Sequence, residues 1–474
     1  MPVRHLPAHT GEGACCGACA GAEAAALAAG TASPPVLAGE EAIGSTRPVV
    51  VTPRRIDRDA DRRITFSGLL VAGAFVVAAI VAGAAAASGG GSSWLALHLA
   101  LAGAAGTAIA TVLPVFVAAL AVAAPARPLA RIAAIGLVAG GAAMVSWTVA
   151  AGDAFLGHVG GSIYIAGIVA VALVAFRPLR GAMGPRRRRV EIAYGAALLQ
   201  VGVSATIATA FLSGWMPVVE RWAWLKPAHA WLNVVGFLSL VIVATLIHLV
   251  PTVEGTRIRP RRTASVAIAG LVIGVPLIAL GYALAIDLVA RAGAVMVLVG
   301  ALVVPVHARA VAREQGRWTT DPGWHRFTTW SLRAAGGWFA AAMLVGTGRV
   351  VWLGADPAGW SINLVAAPLA VGWVLQVLIG SWSHLLPAIG PGDPAAHARQ
   401  RAVLGTAATP RLVALNGGVA ALWAGWATGN PVLMTIGGVA VAGSLGAAVA
   451  IAARAADVAI RRPYTADDGP TIGF

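Results

Sequence analysis

Three apolar segments that end in proline recur along this chain at almost equal intervals. They are Thr111-Val-Leu-Pro114, His248-Leu-Val-Pro251 and His384-Leu-Leu-Pro387, and their prolines are 137 and 136 residues apart. Such a period is too long for one solenoid unit, but it suits a repeated block of about four membrane helices. Two of the segments place a histidine three residues before the proline. An ionisable side chain in an apolar segment is costly and therefore suggests a functional site.

The composition indicates a membrane protein. Hydrophobic residues make up 58% of the chain and charged residues 11%, which leaves too little polar surface for a soluble globule. Apolar stretches of about 17 to 25 residues predict about twelve spanning helices. The expected spans are 64–87, 94–123, 132–152, 159–176, 190–213, 228–251, 264–285, 288–310, 332–352, 362–389, 411–428 and 431–454. The predicted fold is an all-α polytopic membrane protein with three pseudo-repeats of four helices.

The basic residues predict the orientation in the membrane, because short loops rich in Arg and Lys stay in the cytoplasm. Of the 34 basic residues, only Arg221, Lys226, Arg291 and Arg349 fall on one side of the predicted topology. Both termini are therefore expected in the cytoplasm, with the helices in the cell membrane. The isoelectric point of about 11.4 then reflects topology and contact with anionic lipid. Nucleic acid is not an expected partner, because no aromatic-basic module accompanies the charge.

Two tails flank the predicted membrane domain of residues 64–454, one at residues 1–63 and one at residues 455–474. The first tail lacks a continuous apolar core, so we expect no cleavable signal peptide and a disordered segment. It contains all three cysteines, in Cys15-Cys16-Gly-Ala-Cys19. Reduced thiols at this spacing suit a soft metal such as Cu(I) or Zn(II), although the signal is weak without a second pair. The alternative is a plain flexible tail.

Four histidines are predicted near the ends of helices 2, 6 and 10. His98 and His229 lie near the outer face, whereas His248 and His384 lie near the inner face. His229 and His248 are 19 residues apart, about 28 Å along a helix at 1.5 Å per residue, so they cannot serve one metal. The sequence therefore predicts two sites, one in each leaflet, that offer neutral imidazoles from different helices.

Neighbouring residues offer support for such sites. Asn233 is four residues after His229, and Thr245 is three before His248, so each is expected to face its histidine and fix the imidazole tautomer. Gln376 lies eight residues before His384 on a similar face. Small residues at 102–106 permit close helix packing or make room for a flat macrocycle. In the alternative interpretation, the histidines only hydrogen-bond loop carbonyls and the small residues only pack.

The other histidines are weaker candidates. His158 and His307 lie near the ends of helices 4 and 8, while His325 and His397 fall in predicted cytoplasmic loops and are expected to be solvated. No carboxylate occupies a predicted mid-membrane position, and proton pumps and proton-coupled carriers usually build relays from such groups. No nucleotide-binding, hydrolase or zinc-protease motif stands in a supporting context.

The helical pattern resembles the catalytic subunit of the haem–copper oxidases and the related NnrS-type haem and copper membrane proteins. The resemblance covers residues 64–454, with helices 2, 6 and 10 as equivalents. His98, in His98-Leu-Ala-Leu-Ala-Gly103, looks like the low-spin haem ligand of that superfamily. His229, in Lys226-Pro-Ala-His229-Ala-Trp-Leu-Asn233, looks like its helix 6 copper ligand. That region is also similar to membrane regions fused to cupredoxin-type copper oxidases or nitrite reductases.

The chain departs from the oxidase pattern at two helices. The oxidases have adjacent histidines in helix 7, whereas residues 265–284 contain none. Their helix 10 has haem-binding histidines in its outer half, whereas residues 362–373 contain none and His384 is near the inner face. The resemblance therefore does not extend to the oxygen-reducing copper site.

The leading hypothesis is a membrane redox protein that binds haem, expected to be of the b type, with copper as a second candidate. His98 and His229 are the expected axial pair, and His248 and His384 a candidate inner site. Expected partners are membrane lipid and a cupredoxin-type, quinol or cytochrome redox partner related to copper, nitrite or nitric oxide. The alternatives are a transporter or channel for a small solute or metal, and a non-catalytic assembly subunit. No catalytic residue is assigned.

The arginine asymmetry leads to a topology prediction. A reporter fused after Arg189 or Arg262 should report the cytoplasm, and one near Asp287 or Asp356 the opposite side. Paired alkaline phosphatase and fluorescent-protein fusions measure this. A periplasmic signal after Arg189 would overturn the predicted helix count.

Overall fold

The structure is a computed structural model that describes residues 58–87, 89–182, 187–315, 324–389 and 394–461. Within these ranges the chain is helical and contains no β-strand. Twelve long helices follow one another: α1 Arg58–Ala87, α2 Ser93–Leu120, α3 Pro128–Ala151, α4 Ala154–Phe176, α5 Arg188–Leu212, α6 Trp222–Val253, α7 Arg262–Leu284, α8 Asp287–Ala312, α9 Trp324–Leu353, α10 at 367–389, α11 Ala408–Thr428 and α12 Pro431–Arg461.

Eleven of these helices in the described chain are long and apolar enough to cross a membrane. The remaining one, α11, has 21 residues, and polar residues such as Arg411 and Asn416 lower its hydropathy. The predicted all-α polytopic membrane fold is thus confirmed. Helix α1 begins six residues before the predicted span and α12 ends seven residues after it, because helices continue past the apolar core into charged sequence. The predicted cysteine site at Cys15, Cys16 and Cys19 lies outside the described residues.

Each block of four helices contains a tight hairpin between its third and fourth helices. Two residues join α3 to α4, α7 to α8 and α11 to α12. The first of the two is left-handed in every case: Gly152, Ala285 and Gly429, with φ of 67°, 55° and 67°. In the first hairpin, Asp153 then caps α4 by accepting hydrogen bonds from the backbone N–H groups of Phe155 and Leu156. The same chain reversal therefore recurs in all three blocks.

Glycines bring the backbones of these hairpins into contact. A Cβ added to Gly167 would lie 2.7 Å from the Val138 nitrogen of α3. Additions at Gly293 and Gly437 would lie 2.6 Å and 2.7 Å from the carbonyl oxygens of Gly274 and Gly418. These three hairpin interfaces are the most extensive helix contacts among the described residues. Close backbone approach at small residues is how membrane helices gain packing energy where lipid offers no hydrophobic drive.

The second helix of every block has π-helical geometry over part of its length. π-Helical segments occupy Leu99–Ala105 in α2, Trp231–Ser239 in α6 and Ala367–Leu375 in α10. Each contains a glycine at which a Cβ would collide with a side chain of the first helix of the same block. The pairs are Gly103 with Phe75, Gly236 with Gln200, and Gly372 with Trp338. This shared contact supports the repeat that the proline spacing predicts.

The three repeat prolines lie inside these same helices, and all three are buried. Pro251 and Pro387 both follow the start of their π segment by 20 residues, whereas Pro114 follows its own by 15. The second and third blocks are therefore in closer register with each other than with the first.

A buried ion pair joins the end of α6 to α9. The Glu254 carboxylate accepts hydrogen bonds from Nε of Arg333 at 3.0 Å and from Nη2 at 2.8 Å. The Glu254 side chain is only 1% exposed. Burial raises the pKa of Glu254, and the Arg333 guanidinium counteracts that rise. Nearby, Arg261 donates at 2.7 Å to Glu314, which is far more exposed than Glu254, and this hydrogen bond lowers the pKa of Glu314.

We expect Arg333→Met to destabilise the protein by about 3 kcal/mol, because it leaves a buried carboxylate unpaired. Without its cation, Glu254 gains a still higher folded-state pKa, so the charged form opposes folding above that pKa. The deficit relative to wild type should therefore shrink as the pH falls and Glu254 becomes protonated. Thermal unfolding in detergent at several pH values measures both effects.

The exposed pair provides a matched control. Arg261→Met removes the same charge from the same side of the protein but should cost much less than Arg333→Met, because water solvates the Glu314 carboxylate. Equal losses in the two variants at every pH would contradict the assigned role of the Glu254–Arg333 pair.

Candidate functional site

Helix α2 begins with a short α-helical segment, Ser93–His98, and His98 is its last residue, directly before the π segment. Its Nδ1 lies 2.8 Å from the backbone oxygen of Trp94, one turn earlier. A carbonyl oxygen can only accept, so Nδ1 carries the proton and Nε2 keeps a free lone pair. The Trp94 indole also covers the imidazole, with ring centres 3.7 Å apart and planes 18° from parallel. The ring is therefore fixed both in tautomer and in orientation.

His229 lies in the first segment of α6, two residues before the π segment, and is held by α5. Its Nδ1 is 3.1 Å from the backbone oxygen of Ser204 and 2.9 Å from the Ser204 hydroxyl oxygen. The buried Ser204 hydroxyl also lies 3.1 Å from the His229 backbone oxygen. The carbonyl again assigns the proton to Nδ1 and the lone pair to Nε2.

Asn233 lies against His229, as its spacing in the sequence predicts. Its amide nitrogen donates to the His229 backbone oxygen at 2.9 Å and also contacts the Ser204 hydroxyl. The same nitrogen is 3.3 Å from Nε2 and 3.4 Å from Nδ1 of the imidazole. Nearly equal distances fit an amide over the ring face, because a hydrogen bond in the ring plane would favour one nitrogen. Asn233 therefore supports the ring without occupying its Nε2 lone pair.

The structure brings His98 and His229 together. Their ring centres are 6.3 Å apart and their planes are within 14° of parallel. A metal ion that takes one nitrogen from each ring, at about 2.0–2.1 Å per bond, separates the ring centres by roughly 6 to 6.5 Å. Both rings are half-buried, so the described side chains do not close the site completely. The spacing and the parallel planes fit two axial imidazoles on one metal.

Aromatic side chains bound the site next to His229. Trp222 lies 6.2 Å from the His229 ring, tilted by 46°, and Phe211 of α5 stacks on Trp222 at 3.9 Å. On the α2 side, Gly103 packs against the Phe75 ring of α1, so this glycine serves helix packing and does not enlarge the site. The rings of Trp222 and Phe211 give the His229 side an aromatic, apolar boundary.

His248 and His384 each have different surroundings at the other end of the bundle. His248 is 6% exposed, and neither ring nitrogen has a hydrogen-bond partner among the described residues. Its charged neighbour is Arg187. His384 instead interacts electrostatically with His325 and Arg401. The neighbours that the structure shows for the two histidines are different, so their shared site stays a prediction.

Two supporting residues differ from their expected roles. Thr245 contacts the Tyr194 hydroxyl at 2.9 Å and donates to the Val241 carbonyl at 2.8 Å, so it does not fix the His248 tautomer. Gln376 is fully buried, and neither amide atom has a hydrogen-bond partner within the described chain. The i,i+3 spacing predicted a contact between Thr245 and His248, but in the structure the Thr245 hydroxyl contacts Tyr194 of α5.

The remaining histidines separate into distinct environments. His325 was expected to be solvated, but it is only 7% exposed because α9 begins before it and carries it into the bundle. His397 is half-buried on the short helix Pro394–Leu404, and not in a loop. His307 lies 2.9 Å from the Thr263 hydroxyl, and His158 is exposed.

Ser204 and His325 are the residues that sequence reasoning missed. Ser204 lies on a different helix, 25 residues before His229, and no local pattern links the two. Within the described ranges, no group of three or more His, Cys, Asp or Glu side chains could hold a metal ion. The candidate site is therefore a two-imidazole site and not a closed tetrahedral one.

No protein-family model matches the chain, and no curated protein matches it significantly.

Proposed function

We propose that this membrane protein binds a b-type haem between His98 and His229 and transfers electrons. The observation that carries the proposal is the pair of imidazoles at 6.3 Å on facing helices. Each has its Nδ1 against a backbone carbonyl, which leaves Nε2 available as a ligand. A bound haem would supply a one-electron couple that the side chains of this chain lack.

The residues around the pair support this function over a merely structural one. Interfacial histidines that only cap helices need no partner imidazole in parallel orientation across the gap. Here Trp94, Ser204 and Asn233 hold both rings in place before any ligand binds. Such preorganisation lowers the cost of binding and of changing the redox state. Ala20, and not a histidine, follows Cys16-Gly-Ala-Cys19, so these cysteines do not form the C-x-x-C-H motif of covalent haem attachment, and the proposed binding is non-covalent.

The position of the site indicates where electrons would enter or leave. His98 and His229 lie near the predicted outer face, with Arg221 and Lys226 on the same end of α6. Arg349 of α9 donates to the Gly359 carbonyl at 2.9 Å, beside the same loops. A cupredoxin-type or cytochrome partner with an acidic surface, or a quinol, is the proposed partner on this side. A solute carrier and an assembly subunit are the competing functions.

Detergent-purified wild type should show a Soret band with sharp reduced α and β bands. His98→Ala and His229→Ala should each abolish this low-spin spectrum, because each removes one axial ligand. Added imidazole should restore the spectrum in both variants by entering the vacated position. Absorption spectroscopy and haem per protein measure the effect, with gel filtration to check folding.

His158→Ala is the matched control, because it removes an exposed histidine near the same end of the bundle. Its spectrum should equal that of the wild type. A wild type without any chromophore after expression with ample haem would refute the proposal and favour the carrier or assembly function.

The inner histidines provide a separate test for a second haem or a copper ion. The buried and unpartnered His248 ring supports such a ligand, since natural proteins rarely leave buried polar atoms unpaired. His248→Ala and His384→Ala should each lower metal per protein without loss of the His98–His229 spectrum. Full metal content in both variants would show that these histidines are structural.

A further inference from the structure

A groove of about 850 Å³ runs between α4 and α5. It is distinct from the histidine sites, and most of its lining is apolar. Leu173 and Leu199 on its edges are 63% and 69% exposed, so the groove opens to the outside of the bundle. In a membrane, this surface faces lipid. Its lining includes Ile165, Val169, Leu173, Gly195, Gly202 and Thr206.

Two glycines of α5 form the floor of the groove. Gly195 and Gly202 are seven residues apart and thus lie on one face, two turns from each other. A Cβ added to Gly202 would meet nothing within 4 Å, and one added to Gly195 would meet only the Phe176 ring at 3.9 Å. Some glycines elsewhere, such as Gly167 and Gly293, let neighbouring helices touch. These two instead leave open space, so they do not serve helix packing.

The groove ends at two arginines. Arg177 and Arg180 belong to the 3-10 turn Arg177–Gly181 that follows α4, and both line the groove and are exposed. Neither has an ion pair or side-chain hydrogen bond with any residue that the structure describes. The basic residues at the start of α5, Arg187, Arg188 and Arg189, lie on the same side and raise the local positive potential. Arginine binds phosphate through paired N–H donors.

The length of the groove matches one leaflet of a bilayer. From Ile165 to Arg177 it follows twelve residues of α4, about 18 Å at 1.5 Å per residue. Half of a typical hydrocarbon core is about 15 Å. A phosphate held at the arginines would therefore place an acyl chain along the apolar floor as far as the bilayer midplane.

We propose that the α4–α5 groove is a specific site for an anionic phospholipid of the cytoplasmic leaflet. Arg177 and Arg180 bind the phosphate, and an acyl chain occupies the space above Gly195 and Gly202. Charge complementarity favours a lipid over a second copy of this chain, because two copies would bring like-charged arginines together. It also favours an anionic headgroup over a zwitterionic one.

Native mass spectrometry of the full chain, released from nanodiscs with equal phosphatidylglycerol and phosphatidylethanolamine, tests the proposal. The wild type should retain phosphatidylglycerol preferentially. Arg177→Gln with Arg180→Gln should lower that retention by about 10- to 30-fold, since each basic residue near the surface contributes roughly a fivefold step. Arg259→Gln with Arg262→Gln removes the same charge outside the groove and should change retention less than twofold, roughly.

Gly202→Leu tests the apolar half of the site and keeps both arginines. It should fill the open space and displace the lipid without unfolding α5, because leucine is a better helix former than glycine. Equal retention of the two lipids by the wild type would overturn the proposal, and so would equal losses in the two arginine double variants. A dimer that Gly202→Leu dissociates, with no lipid bound, would show instead that the groove is an interface between copies.

Discussion

The packing of the bundle interior depends on the π-helical segments of α2, α6 and α10. A π segment adds residues to a turn and is costly, so it persists only where surrounding contacts hold it. Here each segment places a glycine against the first helix of its block, at Phe75, Gln200 or Trp338. The Trp373 indole of α10 also donates to the Ser239 hydroxyl of α6 at 3.1 Å, which joins two of these segments. His98 lies directly before the π segment of α2 and His229 two residues before that of α6, so these segments help to set the positions of both histidines.

Hydropathy and residue spacing are sufficient to predict the helices and their repeated arrangement. Apolar length predicts the helices, the proline period predicts the three blocks, and shared depth predicts that His98 meets His229. Ser204, by contrast, reaches His229 from another helix, and only tertiary packing determines that contact. The same holds for Thr245, which contacts Tyr194 of α5 despite its spacing from His248. The π segments could not be predicted, because their sequences are as apolar as those of membrane-spanning α-helices.

Several buried polar groups near the π segments lack hydrogen-bond partners within the described chain. Gln200 touches the π segment of α6, and Gln376 directly follows that of α10. Both amides are buried without hydrogen bonds, as is the hydroxyl oxygen of Thr107 in α2. Each such group costs free energy in a membrane, where no lipid can satisfy it. Gln200 and Gln376 are thus buried polar groups beside two of the three π segments.

The separation of the histidines limits what the proposed redox function can be. His229 and His248 lie on one helix, 19 residues apart, so about 28 Å separates the two ends. A single haem at His98 and His229 can exchange electrons with partners on one side only. Transfer across the membrane needs a second redox centre near His248 or near the His325–His384 pair. Whether the inner histidines bind a metal therefore decides between a one-sided electron carrier and a transmembrane one.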